Sequence, residues 1–337
     1  MTGFDEVIDV RSPAEYAEDH IPGAINCPAL DNAERARIGT LYKQVSPFAA
    51  RKAGAVLILR HIAEHIEQRF LDRDRGWRPL VYCWRGGKRS GGFTHVLRQI
   101  GWDACALEGG YKAYRRFVAA ELQSRPRQFH FRVVCGATGS GKSRVLQALG
   151  SLGAQVLDLE EIAAHKGSVL GDLPDAPQPT QKMFESRLHA ALREVDASRP
   201  VFVEAESRRI GALQVPAGLI EAMRASPCVR IEATLAARVR FLLGDYDYFL
   251  SEPARLKARI DCLRGLQSGE TLERWMTLID DGQWAALVEE LLARHYDPLY
   301  YRSQDKNYVH YPEAPGLATD DLSPAGVTRL AQQILAI

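Results

Sequence analysis

The chain has 337 residues, a hydrophobic fraction of 46%, a charged fraction of 25% and a formal net charge of +1. That length suits two domains with a core each, the composition excludes a disordered or collagen-like chain, and no apolar run approaches the roughly 20 residues that span a bilayer. The near-zero charge neither proposes nor excludes a nucleic-acid partner, because such binding depends on local patches.

The opening MTGFDEVIDV has no basic segment followed by an apolar one, so a cytoplasmic location without membrane association is expected. Next, EVIDV reads as a strand leading into SPAEYAEDHI, where Ser12 and Glu15 form a capping-box pattern. HIPGAINCPAL is a turn and a short extended piece, and Asn32 to Phe70 is long and helical in pattern. RPLVYC reads as a buried parallel strand, GGFTHVLRQIG as a helix closed by Gly101, and DACALEGG as a strand and turn. This alternation predicts a small α/β domain over residues 1–122.

Pro126 and the nearby Arg125, Arg127 and Arg132 interrupt the pattern, and residues 123–130 are read as a linker. Residues 131–235 restart as strand, glycine loop and helix, predicting a parallel-sheet α/β domain of the P-loop NTPase kind. Its further strand-to-loop transitions, AQVLDLEEIAAH and RPVFVEAESRRIG, flank a Pro-rich loop and a helix around Thr180 to Val195. Residues 236–337 read as a mainly helical region packed with that domain. The six cysteines have no CxxC or Cys/His zinc spacing, so free thiols are expected.

Two loops carry chemistry. In LVYCWRGGKRSGG, Cys83 ends a strand and is followed by glycines and a helix, a place where backbone N–H groups converge and favour a thiolate or bind an anion. Lys88 and Arg89 add charge, and Arg89 can clamp an oxyanion. The bland alternative is a structural cysteine at a strand end. In GATGSGKS, Gly136 to Ser143, the full G-x-x-x-x-G-K-[ST] pattern lies between a strand and a helix. Gly136, Thr138, Gly139, Ser140 and Gly141 build the cradle, Lys142 supplies charge to an outer phosphate, and Ser143 can ligate Mg²⁺. Glu204 and Glu206 at the end of VFVEAES are candidates for metal binding or general base, with a surface pairing to Arg208 or Arg209 as the alternative. Asp158 is either a third such group or a helix cap.

The segment IDVRSPAEYAEDHIPGAINCP resembles the amino-terminal signature of the rhodanese superfamily, and LEGGYKAY resembles its closing motif. The spacing from Cys83 to Arg89 is that of the related cysteine-dependent phosphatases, although Tyr82 stands where those usually have His. A phosphatase with a regulatory nucleotide-binding domain is therefore the alternative reading. A rhodanese-like domain followed by a P-loop domain resembles the tRNA 2-selenouridine synthase family, with further likeness at ERARIGTLYK, DLEEIAAHKGS, QPTQKMFES and VEAESRRIG. Ala205 stands where that pattern commonly has an acidic residue.

The resemblance implies a transferase that replaces sulfur by selenium in wobble 2-thiouridine of tRNA. Selenophosphate and geranyl diphosphate would be co-substrates, an S-geranyl-2-thiouridine the intermediate, and a selenophosphate-producing enzyme a partner. Cys83 and Arg89 would then be catalytic, with Trp84, Arg85, Gly86, Gly87, Lys88 and Ser90 forming the selenophosphate loop, and the second loop would hold a diphosphate or a nucleotide. Arg127, Arg132, Arg208 and Arg209, with the linker arginines Arg115, Arg116 and Arg125 beside them, are the candidate RNA contacts, and YDYF and YYRS are stacking candidates; solvated or core positions are the alternative for each.

Overall fold

The computed structural model describes residues 3–168 and 170–337. Two compact units emerge, one comprising the chain up to Glu121 with Thr180–Ala190, the other Leu122–Pro179 with Ala191–Ile337.

The first unit is built on a parallel sheet of order β2-β1-β3-β4, from β1 (Glu6–Asp9), β2 (Ile25–Asn26), β3 (Pro79–Tyr82) and β4 (Cys105–Ala106). Its helices are α1 (Pro13–Glu18), α2 (Asn32–Gln44), α3 (Pro47–His65), α4 (Lys88–Ile100) and α5 (Gly110–Ser124). Ile8 and Val81 from the central strands meet Phe93 and Leu97 of α4 in the core. The capping box of Ser12 and Glu15 starts α1, and Gly101 ends α4.

The long helical segment is broken where the pattern suggested continuity. Ser46 caps the N–H groups of Phe48 and Ala49, and Pro47, which has no N–H to donate, opens α3. Residues Ile66–Phe70 then continue as a π turn.

The second unit has a five-stranded parallel sheet of order β11-β10-β5-β7-β6. Its strands are β5 (His130–Gly136), β6 (Gln155–Leu157), β7 (Pro200–Glu204), β10 (Cys228–Ala233) and β11 (Gly316–Thr319), with a small hairpin of β8 (Arg209–Ile210) and β9 (Leu213–Gln214). The helices begin with α6 (Lys142–Ser151), α7 (Leu159–Ala163), α9 (Ala217–Arg224) and α10 (Leu235–Asp245), while α8 (Gln181–Arg193) gives only its last residues to this unit. They continue with α11 (Asp247–Ser251), α12 (Pro253–Asp261), α13 (Gly269–Asp280), α14 (Trp284–Leu291), α15 (Asp297–Asn307) and α16 (Pro324–Leu335).

Three details go beyond the sequence reading. Residues 123–130 hold the end of α5, a 3₁₀ turn at Arg125–Gln128 with Pro126 buried, and the start of β5. The first part of α8 groups with the first unit, where Arg115 bonds Ser186 at 3.0 Å and Lys182 bonds Glu18 at 2.6 Å. The carboxy-terminal region is not helical throughout: β11 pairs with β10, and Val327, Leu330 and Ile334 of α16 pack on Val145 and Leu149 of α6.

Candidate functional site

Cys83 follows β3, and the chain turns through the exposed Trp84, Arg85, Gly86, Gly87 and Lys88 into α4. Its sulfur is buried and accepts hydrogen bonds from the Gly87 N–H and the Ser90 hydroxyl, both at 3.2 Å. Burial opposes ionisation, but the Ser90 hydroxyl and the N–H groups of Ser90, Gly87 and Arg85 outweigh it, so the thiol titrates below its ordinary range. Cys27, in the core of the same unit, is pushed by burial up to about 12. The loop therefore favours the thiolate at one cysteine while burial disfavours it at another.

The LEGG turn clamps this loop. The Tyr111 N–H donates to the Cys83 carbonyl at 2.9 Å and the Lys112 N–H to the Trp84 carbonyl at 3.0 Å. Gly110 has φ +57°, and a Cβ there would lie 2.3 Å from the Cys83 carbonyl oxygen. Beneath, the buried Asp9–Arg11 ion pair is fastened by Arg11 to the Asp19 carbonyl at 2.6 Å, while the Tyr111 ring covers the guanidinium. Tyr82 is a core residue whose hydroxyl accepts from the Ile21 N–H at 3.1 Å. Arg89 points to Glu15, 2.8 Å away. Burial raises the Glu15 carboxyl, but pairing with Arg89 more than compensates and holds it below the usual range. As an oxyanion clamp, Arg89 would have to exchange this partner for the ligand.

In the second unit, β5 delivers the chain into the glycine loop and α6 leaves it, the order that points backbone N–H groups at a phosphate. Thr138, Gly139, Gly141, Lys142 and Ser143 line a cavity of about 580 Å³, while Ser140 is buried behind it and Gly136 donates its N–H to the Tyr300 hydroxyl. Lys142 rests on the Gly136 carbonyl at 2.7 Å. The buried Arg238 anchors the loop by donating to the Thr138 carbonyl at 2.8 Å, and Asp297 neutralises it through two bonds of 2.6 and 3.0 Å.

The carboxylates divide by role. Asp158 caps α7 through the Glu161 N–H at 2.8 Å. Glu204 is buried and accepts from the Leu159 and Glu160 N–H groups at 2.8 and 3.0 Å. Glu206 lines the cavity, and burial together with Glu160 pushes it up to about 8. Glu160, which the sequence reading did not single out, accepts from the Ser143 hydroxyl at 2.5 Å and also titrates high, chiefly through burial. Among the described residues no three Cys, His, Asp or Glu side chains converge as a metal cage. The pairing of Ser143 with Glu160 nevertheless fits Mg²⁺, which keeps few protein ligands and completes its shell with phosphate oxygens and water.

A second, apolar cavity of about 70 Å³ shares Thr138, Ser168, Leu242, Tyr246 and Tyr296 with the rim of the glycine-loop cavity. Leu243, Phe249, Leu256, Trp284, Leu287, Val288 and Leu291 supply its walls. The YDYF segment thus spends Tyr246 and Phe249 on this lining, and of YYRS Tyr300 lies against Lys142 while Tyr301 is exposed. The candidate RNA arginines have separate surroundings: Arg127 pairs with Glu221 at 3.0 Å, Arg132 is half-buried on β5, and Arg208 and Arg209 are exposed before and in β8.

Comparison with known proteins fits both units. A family model described as a rhodanese-like domain matches residues 1–117, and one described as the tRNA 2-selenouridine synthase AAA domain matches residues 129–272. The tRNA 2-selenouridine synthase of Nitrosomonas europaea is 36% identical over 71% of this chain and 63% of its own length. Those of Alcanivorax borkumensis and Marinobacter nauticus are 32% and 33% identical, each over 87% of this chain, covering 88% and 87% of their own lengths. The chain thus spans a little under two thirds of the first relative and nearly nine tenths of the other two.

Proposed function

The chain belongs to the tRNA 2-selenouridine synthase family, and from that premise we propose that it replaces the sulfur of wobble 2-thiouridine in tRNA by selenium in two transfers. In the first, the thiouridine sulfur attacks C1 of geranyl diphosphate, a C–S bond forms, the C–O bond breaks, and the base loses its ring N–H proton to solvent. The glycine loop would cradle the departing diphosphate, with Lys142 leaving the Gly136 carbonyl to meet its charge. Ser143 and Glu160 would hold Mg²⁺, which supplies further charge neutralisation. The apolar cavity that opens from the same rim would receive the prenyl chain, its walls parting because about 70 Å³ is too small for all ten carbons, and the adjacency of an apolar lining to the glycine loop is the observation that carries the reading.

In the second transfer the Cys83 loop would receive selenophosphate. Selenium in that donor is already at the selenide level, so attack of a thiolate on selenium would demand an oxidant. Attack of the Cys83 thiolate on phosphorus is redox-neutral: an S–P bond forms, the P–Se bond breaks, and hydrogen selenide anion leaves. That anion adds to C2 of the geranylated base and expels geranylthiol, while water hydrolyses the phosphocysteine to phosphate. The lowered thiol pKa and the ring of N–H donors around the sulfur suit this step.

The test is mass spectrometry of nucleosides from thiolated tRNA incubated with the protein, geranyl diphosphate and selenophosphate, each omitted in turn. Geranylated nucleoside should accumulate without selenophosphate, and selenouridine should need both. Cys83→Ala should stop at the geranylated stage. Normal selenouridine from that variant would overturn the role of Cys83, and selenouridine formed without geranyl diphosphate would overturn the two-transfer scheme.

A further inference from the structure

We propose that the α2–α3 hairpin of the first unit is a docking surface for the phosphate backbone of the tRNA substrate, a proposal that rests on the function just given. From Arg35 to Arg60 the chain carries six cations, Arg35, Arg37, Lys43, Arg51, Lys52 and Arg60, and no Asp or Glu, within a protein of net charge +1. All six are exposed. Arg35 approaches a carboxylate, Glu15, at 3.8 Å, and the other five have no ion-pair partner among the described residues. Surface cations are usually interspersed with carboxylates, so an unbroken cationic stretch raises the local potential and favours a polyanion.

The same hairpin exposes rings and aliphatic groups where a helix facing only water would not. Tyr42 is 54% and Phe48 67% exposed at either side of the α2–α3 turn. Phe48, Lys52, Val56 and Leu59 follow at three- and four-residue spacing along α3, all exposed, with the Lys52 ammonium 5.0 Å from the Phe48 ring. Cations for phosphates beside rings for stacking are the components of a surface that binds RNA. At 19 residues α3 is about 28 Å long, enough to follow several phosphates.

This surface is continuous with the thiol loop. Arg35 shares the Glu15 carboxylate with Arg89, and Arg89 closes the loop that holds Cys83. Arg85 and Lys88, exposed on that loop, extend the positive charge to its mouth. An RNA lying along the hairpin would therefore have its charge neutralised up to the point where the reacting base must enter.

The test is the salt dependence of binding, read by fluorescence anisotropy with the full chain and a tRNA bearing wobble 2-thiouridine. Each lost phosphate contact lowers the slope of log K against log salt by about 0.7 to 0.9. The double variant Arg51→Gln/Lys52→Gln should lower it by about 1.4 to 1.8 and weaken binding about 25- to 60-fold at 0.1 M salt, with an unchanged melting temperature. Arg37→Gln/Lys43→Gln on the other helix should act in the same direction, guarding against a local fault in either helix. Wild-type protein that binds this tRNA while both double variants keep its slope and affinity would overturn the surface and leave the function standing. Wild-type protein that binds no thiolated tRNA at low salt would overturn the function itself and the surface with it.

Discussion

Ser90→Ala tests the electrostatic account of the reactive thiol. The Ser90 side chain is fully buried and its hydroxyl lies 3.2 Å from the Cys83 sulfur, so the variant deletes one donor to the thiolate without opening a large void. A hydrogen bond to a charged acceptor is worth about 1.5 to 3 kcal/mol, and 1.4 kcal/mol is a factor of about ten in a population. The thiolate fraction below the titration midpoint should therefore fall roughly 10- to 100-fold, while the N–H donors of Gly87, Ser90 and Arg85 still keep it above that of a thiol merely buried. The assay is the rate of iodoacetamide alkylation at Cys83 against pH, resolved by peptide mass spectrometry because Cys105 and Cys262 are accessible too. Wild type should alkylate with a midpoint below that of an ordinary buried thiol, and the variant's profile should move to higher pH. Superimposed profiles would refute the assignment of the thiolate's stability to this hydroxyl.

Gly110→Ala should destabilise the first unit by more than about 1 kcal/mol, since its φ of +57° is costly for alanine and the new Cβ would lie 2.4 Å from the Gly86 nitrogen; thermal melting and Cys83 alkylation should both register it. Lys142→Ala should abolish geranylation while a tRNA already carrying the S-geranyl group is still converted to selenouridine, which nucleoside mass spectrometry would show; loss of both steps would contradict the division of labour. Glu206→Gln should stabilise the ligand-free protein progressively as pH rises from about 4.5 towards 8. The raised carboxyl binds its proton in the folded state over that window and not in the unfolded one, so wild-type stability falls with pH there and the variant's falls less. Urea titrations at several pH values measure the difference, and parallel pH profiles would show that Glu206 does not titrate as described.

The α/β architecture and both loops were legible because each depends on consecutive residues. A strand ending in Cys83 and a loop closing on Ser90 declare a nest of N–H groups whatever surrounds them. The full GATGSGKS pattern does the same for a phosphate. Short elements escaped: β11 is four half-exposed residues with little pattern of their own, and its place beside β10 comes from the sheet. The break at Ser46-Pro47 was written in cap chemistry, but helical periodicity on both sides hid it.

What the local sequence could not state is which distant group each site residue meets. Arg89 reads as a free oxyanion clamp until the fold brings Glu15 to it from 74 residues away. Glu204 and Glu206 are equivalent on paper and, two residues apart, would share a face if the strand ran on, yet β7 ends at Glu204, which meets the α7 amides, and the turn after it leaves Glu206 in the cavity. Glu160 gains its meaning from Ser143, Arg238 from a carbonyl 100 residues earlier, and Tyr300 from a glycine 164 residues earlier. By itself the sequence determined the two cradles, because backbone conformation at a glycine loop is a local property. The tertiary structure alone decided their surroundings, the apolar cavity at the rim of the glycine loop above all, because burial and pairing depend on segments that only the folded chain brings together.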